Sequence, residues 1–267
     1  MTAAYAKCVS GNNDVVYVNG NITLAATLAW AKNKTHLIGL SDGYFNSLNN
    51  LLTPASLAAT TGAFSPLVNV TGQGCIFKNI AAVSGIAQAA TQVCWAEAGG
   101  WNTYINCHFS GVGNATAAAQ AGNRSLTIAS IKNSFINCVI GGDSIVRATG
   151  TNSSVEFLAG AGSCIFRGGT FPMWSSVAAS TFLLAATATC SGYMLFDGCQ
   201  FINDINNAGG TSLTQAFSVS ATAGASFIIS PTSIVAGATI LNTAGTGTIY
   251  ASSAVAAAGG NKVAAAT

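Results

Sequence analysis

The chain is predicted to fold as an all-β parallel β-helix, a solenoid of short stacked strands with a short N-terminal capping helix. Three observations predict this. A six-residue phrase recurs with its starts at Phe77, Tyr104, Phe135, Phe166 and Phe196, spaced 27, 31, 31 and 30 residues apart, and near-constant spacing of this length marks a stacked repeat. The third position of the phrase is always Asn or Gly: Asn79, Asn106, Asn137, Gly168 and Gly198. Gly, Thr, Ser and Asn interrupt nearly every segment, which leaves no long stretch with the 3.6-residue period of a helical solenoid.

Each position of the phrase then has a physical role. Asn and Gly tolerate a left-handed backbone at low cost, so the third position turns a corner between two short strands. Strand alternation points the first position inward and the second outward; after the corner the fourth and sixth point inward again. The repeat core is therefore Phe77, Tyr104, Cys107, Phe109, Phe135, Cys138, Ile140, Phe166, Phe171, Phe196, Cys199 and Phe201. Lys78, Arg167 and Asp197 fall on the outward second position, as do Ile105 and Ile136. Two adjacent outward isoleucines suggest a face covered by a partner.

In chain order, Val15–Val18 reads as a first strand, followed by a Gly20-Asn21 turn. Residues 24–32, apolar at Leu24, Leu28 and Ala31, read as a short amphipathic helix capping the open end, since an exposed terminal rung invites edge pairing. His36–Leu40 enters the first rung. Upstream strands at Val93–Trp95, Leu126–Ile128, Ile145–Arg147, Phe182–Leu184 and Phe217–Val219 complete the later rungs. The chain divides into a cap and first rung over 1–40, a loop or lateral insertion over 41–66, the rungs over 67–230 and a strand-rich oligomerisation segment over 231–267. From Ile205 onward the one charged residue is Lys262. Such an uncharged segment is an aggregation liability unless buried against copies of itself, which predicts an oligomer, a trimer above all.

Composition narrows the function. Half of the 267 residues are hydrophobic and 6% are charged, with a net charge of +2, so no basic stripe for nucleic acid exists. The mean hydropathy is +0.49, but no clean apolar run of about 18 residues would make a membrane helix. The first residues, MTAAYAKCVS, lack the apolar region of a secretory signal. Assembly in a cytoplasm with reduced cysteines is the expectation. Cys107 and Cys138 are predicted stacked neighbours, for which a disulfide is conceivable but not required.

Candidate chemistry is sparse. Asp143 and Asp204 each lie eight residues after a phrase start and would share a column two rungs apart, about 10 Å, just beyond an inverting glycosidase pair. The plainer account makes both of them turn residues bonding nearby backbone. Glu97 beside Trp95 and Trp101 offers a sugar-stacking subsite or, more simply, a strand end packed by aromatics. His36 and His108 stand alone, His108 as a surface imidazole. No catalytic, cofactor or metal site is expected.

Val15–Val18, Gly20, His36–Leu40 and the repeated phrases together resemble the pectin-lyase-like right-handed β-helix superfamily, over about residues 15–230. Enzymes of that fold gather Asp with Lys and Arg on one face, a cluster that this sequence lacks. The uncharged, unsecreted pattern resembles the trimeric capsid cement (decoration) proteins of tailed bacteriophages. That resemblance implies a non-enzymatic virion protein, assembled in the host cytoplasm and seated on the outside of the major capsid protein shell. It implies no nucleic-acid or membrane partner. The alternatives are a tailspike-like protein that binds or depolymerises polysaccharide, with Asp143 and Asp204 as its acids, and, last, an ice-binding solenoid, for which the Thr spacing is irregular.

Overall fold

The computed structural model describes residues 1–40, 55–148, 152–186, 190–242 and 248–251. Among them, every strand pairing between named strands is parallel, and the strands stack into three long sheets of nine, nine and seven strands. The first sheet runs from Val15–Val18 and His36–Gly39 through the opening strand of each phrase to Ile249–Ala251. The second starts at Asn21–Thr23 and Ala55–Ala59, takes the closing strand of each phrase, and ends at Ile234–Ala236. The third stacks Leu28–Trp30, Val68–Val70, Val93–Glu97, Arg124–Ile128, Ser153–Phe157, Thr181–Ala185 and Phe217–Val219.

The first phrase position builds a continuous column. Val16 pairs with Leu37, Leu37 with Phe77, and Tyr104, Phe135, Phe166, Phe196 and Ile229 follow in register. The rings of Phe77, Tyr104, Phe135, Phe166 and Phe196 lie 4.6–4.9 Å apart and within 9° of parallel. That spacing is the strand separation itself, so backbone pairing and ring stacking impose the same repeat. Cys107, Cys138, Cys199, Phe109, Ile140, Phe171 and Phe201 are buried in the same core. The corners between the first and second sheets have φ of 56° at Asn79, 51° at Asn106 and Asn137, 61° at Gly168 and 62° at Gly198, the conformation those two residue types accept.

Buried polar side chains also run in ladders. Asn102 Oδ1 accepts the N–H of Cys75 at 2.7 Å, and Asn133 Oδ1 accepts that of Asn102 at 3.0 Å. At the entry to the third sheet Asn123 and Asn152 serve Gln92 and Asn123 in the same way, at 2.8 and 2.9 Å. Each amide closes a backbone group that the bend leaves without a sheet partner.

The structure corrects four expectations. The segment read as a helix over 24–32 contains the strand Leu28–Trp30, because Leu28 and Trp30 alternate inward around Ala29. The cap is the helix Thr2–Lys7. Tyr5 stacks on Trp30 at 4.1 Å, its hydroxyl accepts the N–H groups of Ala31 and Lys32 at 2.6 Å, and Lys32 Nζ donates to the carbonyls of Tyr5, Ala6 and Cys8. A cation at the helix C-terminus matches its exposed carbonyls. Second, Ser153–Phe157 occupies the place assigned to Ile145–Arg147, since Val155 and Phe157 carry the inward alternation there. Gly142–Arg147 lies beside Thr170–Ser175 in the second sheet. Third, the span read as a loop over 41–66 includes the strand Ala55–Ala59, paired on both sides; residues 41–54 lie outside those described. Fourth, His108 is half-buried, and its Nε2–H donates to the Gly141 carbonyl at 3.1 Å.

Stacked strands also continue past 230, at Ile234–Ala236, Ala238–Ile240 and Ile249–Ala251. Residues 252–267 of the segment expected to oligomerise lie outside those described.

Candidate functional site

The outer face of the first sheet is one of two nine-stranded surfaces among the described residues. Two outward columns cross it. One runs through Ile76, Thr103, Ser134, Ile165, Leu195, Ile228 and Tyr250; the other runs through Tyr17, Ile38, Lys78, Ile105, Ile136, Arg167 and Asp197. Ile105 and Ile136 are register partners near the middle of this strip. Tyr17 and Tyr250, at opposite ends, are 61% and 58% exposed. The charges on these two columns are Lys78, Arg167 and Asp197, apart from the imidazole of His36. Arg167 and Asp197 pair with each other at 3.7 Å on an exposed surface, a contact worth at most about 1 kcal/mol. His36 Nδ1 accepts the Ile76 N–H at 3.0 Å, and burial pushes its pKa down, so the imidazole there is neutral at pH 7. Near Tyr17 the strip runs into an open depression of about 430 Å³ between the N-terminal helix and the first strand.

A second feature lies at the corner where the chain enters the first sheet. Lys34, Gly74, Trp101, Lys132 and Ser163 stack there, all left-handed, with φ between 50° and 66°. Their N–H groups hold the column together: Lys34 donates to Gln73, Gly74 to Gly100, Trp101 to Ile131 and Lys132 to Gly162. A left-handed backbone costs a residue with a Cβ about 1–2 kcal/mol, so glycine, as at Gly74, is the unstrained choice. Trp101 occupies this conformation at φ 58° while 55% exposed, and Lys132 Nζ sits 4.2 Å from its ring centroid.

Glu97 lies beneath this corner. Its neighbour Trp95 is core, packed on Phe77, Tyr104 and Phe109, and Glu97 itself is 1% exposed. The Glu97 carboxylate accepts from the N–H groups of Gly99 and Gly100 at 2.8 Å, from Ser130 Oγ at 3.0 Å, from Asn102 Nδ2 at 3.1 and 3.0 Å, and from Tyr104 Oη. Burial, with the adjacent carboxylate, raises the Tyr104 phenol well above its ordinary pKa, so the phenol stays protonated and donating. The Glu97–Trp95–Trp101 trio is therefore split. Two members are interior, and only Trp101 meets solvent.

Among the described residues the remaining acids form no groove. Asp14 accepts the Val9 N–H and Asn12 Nδ2, and Glu156 pairs with Arg124 at 2.8 Å. Asp204 Oδ1 accepts the N–H groups of Asn206 and Asn207 at 3.2 Å, which makes it a turn residue. Gly142, Met173 and Asn203 share one register column, and the pairing shifts directly after Gly142, so Asp143 has no register partner in the neighbouring strand. Asp42 lies outside the described residues. Among those described, no cluster of three or more His, Cys, Asp or Glu could hold a metal ion, and no helix is long and apolar enough to cross a membrane. All eight cysteines are buried.

Sequence reasoning placed Lys78, Ile105, Ile136, Arg167 and Asp197 on one outward column but missed the other members of the strip, because they become neighbours only through register. It also missed the strained corner, since Lys34, Trp101, Lys132 and Ser163 give no compositional signal for a left-handed turn.

No family model matches the chain, and no curated protein matches it. Among solved structures the chain is similar to a pectin methylesterase in complex with a hexasaccharide, at 14% identity and a TM-score of 0.41, over 94% of this chain and 88% of that one.

Proposed function

We propose that the chain is a non-enzymatic structural protein of a virion, a capsid cement (decoration) protein that associates as a homotrimer and binds the outside of the major capsid shell. The observation that carries this reading is the apolar strip on the first sheet. Nine strands at a spacing of ~4.8 Å make it about 38 Å long, and it runs along the solenoid axis. A partner that covers such a strip must be as long as the strip, and a second copy lying alongside is. The distribution of acids supports a non-enzymatic role, because Glu97, Glu156, Asp197 and Asp204 are each engaged in bonds that serve the fold. Three joined copies offer a capsid three weak contacts at once, and joint engagement multiplies their effect.

The test is the mass of the purified protein by light scattering, with co-sedimentation against capsid shells. A trimer that saturates shells at a fixed ratio is expected, and Ile105→Lys with Ile136→Lys should give a folded monomer. A wild-type monomer would overturn the homotrimer, and a trimer that ignores shells would overturn the decoration role. A second reading, polysaccharide binding, draws on Asp143, Trp174 and Asp204, which follow in sequence the register column of Gly142, Met173 and Asn203. Retained glycan binding after Asp143→Ala and Asp204→Ala would remove those carboxylates from it.

A further inference from the structure

We infer that the corner formed by Trp101, Ile131 and Lys132 is the docking point through which the protein grips an acidic surface patch of the capsid shell, an inference that rests on the decoration reading above. A left-handed corner does not call for a tryptophan. The equivalent corner one rung away is Gly74, and Trp101 holds a left-handed backbone that glycine would adopt without strain. Yet the turn is fixed from beneath. The buried Glu97 carboxylate takes the N–H groups of Gly99 and Gly100, the two residues before Trp101, and Trp101 itself donates to Ile131 at 3.0 Å. Gly99 admits no side chain, since a Cβ there would stand 1.9 Å from the Gly72 carbonyl oxygen. A rigid, strained backbone and a buried charge thus hold one large side chain in solvent. Local strain of this kind collects where a side chain must be presented.

The patch has the chemistry of an interface anchor. Trp101 is 55% and Ile131 39% exposed, and the Lys132 ammonium lies over the indole. Lys34 stands two steps along the same column, with Gly74 in the gap between it and Trp101. The column carries two cations and no acid, so the matching surface is acidic with an apolar centre for the indole. Buried aromatic anchors ringed by weaker contacts carry most of the affinity in such interfaces, and a cation at the rim sets the salt dependence.

The experiment measures binding of the full-length protein to purified capsid shells at two salt concentrations, beside polygalacturonate as an anionic glycan probe. Trp101→Gly is expected to weaken shell binding by about tenfold or more while the denaturation midpoint stays level or rises. Lys132→Glu should weaken it further and flatten the salt dependence, Lys132→Arg should restore it, and Ile202→Ala, on the second sheet, should change nothing. If wild type binds shells and Trp101→Gly and Lys132→Glu bind equally well, the docking point is overturned while the decoration reading stands. If wild type ignores shells, both fall. Binding to polygalacturonate in place of shells, lost in Trp101→Gly, would overturn the partner class.

Discussion

Tyr104 donates its phenol hydrogen to the carboxylate of Glu97 inside the solenoid. The two belong to successive sheets of one rung, so this bond ties the third sheet to the first across the core. Removing the carboxylate would leave Tyr104, Asn102, Ser130 and two glycine N–H groups with buried donors short of an acceptor. Each such loss costs about 1–3 kcal/mol. Glu97→Ala is therefore expected to destabilise by about 3 kcal/mol or more, with Glu97→Gln intermediate because one oxygen remains. Denaturant titration reads this, and an unchanged midpoint in Glu97→Ala would show that the carboxylate is ornamental to the fold.

The corner at Asn106 offers a cleaner contrast. At φ 51°, Asn106→Gly should be close to neutral, whereas Asn106→Val should lose about 2 kcal/mol through left-handed strain. Equal midpoints for the two variants would mean that the corner relaxes freely.

Proton uptake gives a third prediction. Burial is the main cause that lowers the pKa of His108 below 6.5, with the Gly141 carbonyl and Asp143 opposing it, and burial lowers that of His36 in the same direction. The unfolded chain then binds protons near pH 6.5 that the folded chain refuses. Stability should hold level above about pH 6.5 and fall as the pH drops from there toward the folded values. In His108→Asn the slope between pH 7 and 5 should be shallower; a slope equal to that of wild type would assign it elsewhere.

The thiols should be inert. Burial pushes Cys94 up to about 12 and Cys164 and Cys199 up to about 11, which leaves almost no thiolate at neutral pH. Alkylation mapped by mass spectrometry should miss these three in the native protein and reach them on unfolding. Rapid native labelling of any one of them would contradict their placement.

What the sequence revealed followed from residue types with a unique reason to be where they are. Asn and Gly at the third phrase position announce a left-handed corner, and Phe or Tyr at the first announces a column. The matching corner before the first sheet stayed hidden, because Trp101 and Lys132 adopt it against their preference. Ser153–Phe157 was invisible for a different reason. Ser-Ser-Val-Glu-Phe alternates no better than the Ile145–Arg147 segment before it, and stacking on Arg124–Ile128 decides between them. Glu97 misled because a carboxylate among tryptophans looks like a sugar subsite until its donors are seen. The strip around Ile105 and Ile136 needed register to become a face.

In all three sheets the backbone hydrogen bonds point along the solenoid, while the covalent chain winds around it. A pull from end to end is therefore resisted between layers by hydrogen bonds and packing alone, and the rod parts at whichever layer yields first. A load across the rod meets unbroken polypeptide in every layer at once. Laid flat over a seam, such a molecule works as a strut; hung between two points, it would be a poor tether.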